Sequence, residues 1–244
     1  MQIAAPCGPQ NYEKLLVAEM NDHLDFWNLM AYDYGGASLP LVLHDVFLIR
    51  ATRSAGSWDH VSGHQANIHG GPISGVEAIK FYHSKGVPRH KLILGIPLYG
   101  RSFMNTEGPG KPFSEVGPGS WEKGVYDYRV LPLPGSYMFR DEKMIASWSY
   151  DYKKKEMISF DSEEVGRWKG EWIKREGLGG SMFWELSGDK GTERKDIETG
   201  LGKDPQPGQS LVKVVKHAMG HLDSSHNWLR YEGSKFENMR NGME

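Results

Sequence analysis

The pattern of apolar and polar positions along the chain divides it into strand-like and helix-like stretches that alternate. Ile3-Ala-Ala-Pro6 reads as the end of a strand, and Asn11 to Leu24 as a helix with Leu15, Leu16, Met20 and Leu24 on one face. Phe26-Trp-Asn-Leu-Met30 is short, apolar and aromatic, the texture of a buried strand; it runs on to Tyr32 and Asp33 and is stopped by Gly35-Gly36. Ser74 and Glu77 form a capping-box pattern that opens a helix closed by Gly86-Val-Pro88. Lys91-Leu-Ile-Leu-Gly-Ile-Pro-Leu98 is nearly continuous in apolar residues, as expected of a parallel strand buried on both faces, and it ends in Tyr99 and Arg101. Asp161 and Glu164 cap a helix that turns Val165, Trp168 and Trp172 inward and ends at Gly177. Gly180-Ser-Met-Phe-Trp184-Glu185 is a last strand, and Ser210 to Met219 a last helix.

Two stretches break this rhythm. From Ser102 to about Ile158 glycines, prolines and aromatics alternate, and Ala146–Tyr150 and Glu156–Phe160 flank a Lys-rich turn as an antiparallel hairpin. Residues 102–158 are therefore read as an inserted α+β subdomain. Residues 35–54, with Leu39-Pro-Leu-Val-Leu-His-Asp-Val-Phe-Leu-Ile49 at their centre, fit neither a polar loop nor an amphipathic helix. The remainder, strand–helix repeated with polar groups at C-terminal strand ends, is (β/α)-barrel material. The strands lie near residues 3, 30, 95 and 183, half of the eight that a closed barrel of this type needs.

Composition narrows the function. With 29 Lys+Arg against 31 Asp+Glu in 244 residues the net charge is −2, which argues against nucleic acid as an electrostatic partner. Cys7 is the single cysteine, so neither an internal disulfide nor a cysteine-built zinc site is available. No stretch of about 18 apolar residues could cross a membrane. The N-terminus carries no basic leader with an apolar core, and the chain starts abruptly at a strand end. His60, His64 and His69 sit in a loop-like segment without metal-ligand spacing, and no metal or other cofactor is expected. Eight Trp and eleven Tyr are many for this length, and aromatic faces are a means of gripping flat apolar surfaces such as sugar rings.

Three motifs carry a resemblance. Met30-Ala-Tyr-Asp33, Gly95-Ile-Pro-Leu-Tyr-Gly-Arg101 and Gly179-Gly-Ser-Met-Phe-Trp184-Glu resemble, in this order and with an insertion between the second and third, a family 18 glycoside hydrolase, specifically a fungal-type chitinase. The likeness runs from residue 3 to the C-terminus apart from residues 35–54. It implies a partial (β/α)8 barrel made of strands five to eight, in residues 1–101 and 159–220, with the 102–158 subdomain inserted and 221–244 as a tail. The ligand implied is chitin or N-acetylglucosamine oligomers, with no nucleic acid and no membrane, and relatives are often extracellular. In this reading Tyr32 hydrogen-bonds the substrate's acetamido group and Asp33 helps to position it. Met30 lines the base of the cleft, Trp184 is the floor under the distorted sugar, and Tyr99 and Arg101 contact neighbouring sugars. The family's Asp-x-x-Asp-x-Asp-x-Glu motif, which carries the acid/base glutamate, is absent from the sequence. Removing residues 35–54 joins Tyr34 to Ala55-Gly-Ser-Trp58 as in the family, so this segment is read as an atypical insertion of retained-intron type, expected to lie over the cleft face as a makeshift helix or in poor order.

Overall fold

A computed structural model describes residues 1–35, 60–191, 206, 208–225 and 231–241. The expectations for residues 35–54, beyond Gly35 itself, lie outside the described residues. In chain order the elements begin with β1 (Gln2–Pro6), α1 (Pro9–Tyr12), α2 (Val17–Asn21), β2 (Phe26–Met30), α3 (Gly75–Ser84) and β3 (Leu92–Pro97). The strands β4 (Tyr99–Phe103), β5 (Val125–Asp127), β6 (Tyr137–Asp141), β7 (Ala146–Asp151) and β8 (Glu156–Ser159) follow. The chain then forms α4 (Glu163–Glu176), β9 (Gly180–Trp184), α5 (Leu211–Met219) and α6 (Glu237–Asn241).

The four strands read from the sequence form one parallel sheet in the order β1-β2-β3-β9. β3 is buried at every position, as its unbroken apolar run requires. In β2 only alternate residues are buried: Trp27 and Leu29 pack beneath the helices, with the Trp27 ring 5.2 Å from that of Tyr82 on α3, while Phe26 is exposed and Asn28 and Met30 are half-buried. The parallel sheet thus has one covered face and one partly open face. The remaining strands form a separate antiparallel sheet, β5-β4-β8-β7-β6, which includes the expected hairpin as β7 and β8.

Several local expectations are corrected. The helix read over Asn11–Leu24 is two short helices, because the backbone leaves helical geometry at Leu16 (φ −81°, ψ 62°). Ser74 does precede α3, but its side chain caps nothing. Loop carbonyls do that work: Asn67 O and Ile68 O accept from the Gly75 and Val76 amides at 3.1 and 2.9 Å, and Glu77 pairs with Lys80 instead. α4 is capped by Ser162, whose Oγ accepts from Val165 N at 3.3 Å, and not by Asp161. The antiparallel sheet reaches back to Tyr99, so Tyr99 and Arg101 open a new strand after the bend at Leu98 and are not the tail of β3. Within residues 102–158 the only helical turn is the 3-10 turn Tyr128–Val130.

One buried ion pair ties the start of α4 to the loop that precedes α3. Asp161, just past β8, accepts from Lys169 Nζ of α4 at 2.5 Å, and the same Nζ donates to Ala66 O at 2.6 Å. Both side chains are inaccessible; burial pushes the Asp161 carboxyl up and the Lys169 ammonium down, each opposed by its partner's charge.

Candidate functional site

Parallel strands end on the same side, so the chain leaving β2, β3 and β9 emerges at one end of the sheet. Asp33 lies three residues past β2 with φ +59°, a left-handed conformation that Asp adopts more readily than most residues. Its neighbour Tyr34 turns into the core, and the Tyr34 amide donates to Gln65 O at 3.0 Å. The Asp33 carboxylate is held from the other sheet. Its Oδ1 accepts from Tyr99 OH at 2.5 Å, from Arg101 Nε at 2.9 Å and from Arg101 Nη2 at 2.7 Å. Tyr99 and Arg101 project from the same face of β4, two residues apart. Charge-assisted contacts of this kind are the stronger class of protein hydrogen bond. Arg101 is 9% exposed, and its Nη1 is buried without a hydrogen-bond partner.

Tyr32 stands beside this group, its ring 6.1 Å from that of Tyr99 and inclined at 74°. Burial, reinforced by the Asp33 charge, pushes the Tyr32 phenol up to about 12 and raises the Tyr99 phenol as well, so both remain hydrogen-bond donors at neutral pH. Gly95 makes the approach possible: a Cβ there would stand 2.2 Å from Leu29 O, 2.9 Å from the Tyr32 ring and 3.2 Å from Met182 Cε. Met30 ends β2 opposite Pro6 and is half-buried. Trp184 ends β9 opposite Pro97, its carbonyl accepts from Leu98 N at 2.7 Å, and its side chain is 57% exposed. Glu185 follows through a cis peptide, and its Oε1 accepts from Ser187 Oγ at 2.8 Å.

All six residues singled out from the sequence therefore stand at one end of the parallel sheet or on the strand leaving it. What the sequence reading missed is that Tyr99 and Arg101 are turned onto Asp33. It also missed Gln65, wholly buried, whose Nε2 donates to Tyr99 O at 2.7 Å and to Ser159 O at 3.1 Å, tying its own loop to the neighbouring strands β4 and β8. A glutamine in a Gly/Ser/Asn/His-rich loop gives no periodic signal. Cys7 is buried, and its thiol is pushed up to about 12 by that burial, consistent with an inert side chain. His64 packs 5.2 Å from Trp148, and no group of three or more His, Cys, Asp or Glu suited to a metal occurs among the described residues. A cavity of about 1000 Å³ lies elsewhere, between α4, α5 and the Met138–Arg140 strand, and contains none of the six.

The chain is α/β, with a parallel sheet, a separate antiparallel sheet and a Tyr-Asp-Tyr-Arg constellation at the strand ends. The family described as Glycosyl hydrolases family 18 matches residues 1–189, and the chain belongs to it. It is 40% identical over its whole length to Chitinase 1 of Aphanocladium album, covering 51% of that protein. It is 38% identical, again over its whole length, to Endochitinase 1 of Metarhizium robertsii, with the same 51% coverage. The chain thus spans about half the length of these curated relatives. Among solved structures, chitinase ChiA74 from Bacillus thuringiensis superposes with a TM-score of 0.68 at 26% identity, over 89% of this chain and 35% of that one. The family 18 chitinase from Cycas revoluta in complex with (GlcNAc)3 superposes with a TM-score of 0.61 at 24% identity, over 77% and 51%, a likeness of fold.

Proposed function

We propose that this chain is the half of a chitinase catalytic barrel comprising strands five to eight, and that it holds the N-acetyl end of β-1,4-linked N-acetylglucosamine without cleaving the chain itself. The observation that carries the proposal is Asp33 fixed by Tyr99 and Arg101 beside Tyr32, with the exposed indole of Trp184 at the same end of the sheet. Family 18 enzymes are among those that use the substrate's own acetamido oxygen as nucleophile. Such chemistry asks the protein to orient that group and to protonate the leaving oxygen. Here Tyr32 OH is the donor to the acetamido oxygen. Asp33, clamped on its Oδ1, presents its other oxygen to the acetamido N–H. Trp184 offers an apolar face to sugar C–H groups and Met30 closes the cleft base. Tyr99 and Arg101 act chiefly by positioning Asp33, since both are largely buried. Residues 102–158 form the insertion beside this cleft.

Among the described residues none is assigned to the second task. A positioned proton donor contributes about 10²–10⁴-fold to such a step, and the acid motif Asp-x-x-Asp-x-Asp-x-Glu is absent from the sequence. Glu185 is no substitute, because it lies beyond the strand end and is engaged by Ser187. The two roles of the family, binding and cleavage, are thereby separated in this chain. A second reading, a non-catalytic chitin-binding protein in its own right, rests on the same clamp and differs only in what the cell uses it for. The test is an assay of purified, folded residues 1–244 with a fluorogenic N-acetylglucosamine oligomer. No turnover above buffer is expected, and turnover that disappears in Asp33→Ala would mean that another carboxylate serves as acid.

A further inference from the structure

Cross-strand pairing extends the site's face across the antiparallel sheet. Residues directly opposite one another share a face. Arg101 is opposite Ser159, Ser159 is opposite Trp148, and Trp148 is opposite Phe139. Two residues along the same four strands, Phe103, Met157, Tyr150 and Tyr137 form a second row on that face. At about 4.8 Å per strand, Phe139 lies about 14 Å across the sheet from Arg101.

The far end of these rows is aromatic. Phe139 and Trp148 stack at 5.5 Å with their planes 13° apart, and both are half-buried. Tyr152, in the turn after β7, folds back onto the same face with its ring 5.6 Å from Tyr137 and 4.8 Å from Tyr150. Tyr137 and Tyr152 are 63% and 61% exposed, whereas Tyr150 is buried and its hydroxyl donates to Thr106 O at 2.6 Å. The buried ring therefore anchors the two open ones. Nothing in the clamp around Asp33 uses any of these rings. Aromatic side chains with a polar tip suit a ligand that is flat and apolar on one face and hydroxylated at its edge.

We propose that Tyr137 and Tyr152, backed by Phe139, Trp148 and Tyr150, form a second carbohydrate-binding platform, which stacks on the sugar faces of polymeric β-1,4-linked N-acetylglucosamine. The choice of occupant rests on the function proposed above and on the rings' place on the sheet face that carries Arg101, from which the buried Ser159 and Met157 separate them. Short oligomers fill the Asp33–Trp184 end alone, while a polymer surface engages both. The platform adds retention on insoluble substrate and has no part in bond cleavage.

Retention of residues 1–244 on washed chitin beads, alongside tryptophan-fluorescence titration with the soluble N-acetylglucosamine tetramer, separates the two sites. Tyr137→Ala combined with Tyr152→Ala is expected to weaken bead affinity about tenfold, the size of an aromatic contact in binding terms, and to leave tetramer affinity unchanged. Tyr137→Phe with Tyr152→Phe, which keeps the rings, is expected to retain bead affinity. Trp184→Ala is expected to lower tetramer affinity instead. Parent-like bead retention in the double alanine variant, or a parent chain that the beads do not hold, overturns the platform. If the tetramer fails to bind while bead retention still depends on the two rings, the platform stands and the assignment of the Asp33 site falls.

Discussion

The two sheets are built on opposite rules. In the parallel sheet the central strand β3 is buried throughout, yet β2 alternates between a face sealed by helices and one left partly open. In the antiparallel sheet β4 and β8 are buried at every residue, β5 and β7 are buried apart from half-buried positions such as Trp148, and only β6 has fully exposed residues. Parallel sheets are normally covered on both faces. The open face of β2 is therefore the unusual surface, and the antiparallel sheet is the more complete unit. The difference has a functional side. The parallel sheet supplies position, bringing three strand ends to one place. The antiparallel sheet supplies the groups that fix Asp33, from a strand whose own residues are fully packed.

Breaking the buried pair behind α4 should do the most damage. Asp161→Ala or Lys169→Ala leaves the other charge buried and unpaired, and each should cost about 3–5 kcal/mol in urea unfolding. Replacing both by apolar residues of similar volume should recover most of that loss. Removing the contact from β4 to Asp33 is milder. Arg101→Ala should cost about 1–2 kcal/mol, since hydrogen bonds to charged groups are lost while Asp33 remains partly solvated. Arg101→Lys should not restore it, because a lysine lacks the fork that places two nitrogens on one oxygen.

On the antiparallel side a smaller effect depends on pH. Burial holds the His64 imidazole below its ordinary 6.5, only partly offset by the charge of Asp141, and its Nδ1 has no partner. The unfolded chain then binds a proton that the folded one refuses. Stability should be intact above pH 6.5 and should decline as pH falls from there towards the lowered folded value. Comparing denaturation midpoints of the parent and His64→Gln between pH 8 and 5 isolates this share; identical pH profiles for the two would count against it.

Much of this was legible in the sequence because it rests on periodicity. The four parallel strands are continuous or alternating apolar runs, and the β7–β8 hairpin is flagged by its Lys-rich turn, where Asp151 Oδ1 accepts from the Lys153 and Lys154 amides at 2.8 and 3.0 Å. The placement of the six candidate residues at strand ends was legible from motifs. Their mutual arrangement was not, because it depends on the bend at Leu98 that turns Tyr99 and Arg101 into a new strand, and hydropathy does not register a bend between two apolar segments. The same blindness applies to Asp161. It carries the residue type of a helix cap, but Ser162 takes that role and Asp161 finds its partner two turns along α4. Local capping signals identify a helix start and leave open which nearby polar group does the capping.

In the proposed function, binding persists where cleavage does not. The most direct measurement is calorimetric titration of residues 1–244 with the N-acetylglucosamine tetramer, alongside Asp33→Ala and Trp184→Ala. Saturable binding by the parent is predicted, weakened about tenfold by Trp184→Ala, whose exposed ring contributes one aromatic contact and little to the fold, and weakened also by Asp33→Ala. A parent that takes up no tetramer, or one whose affinity is the same in both variants, would contradict the assignment of this strand-end clamp as the sugar-binding site.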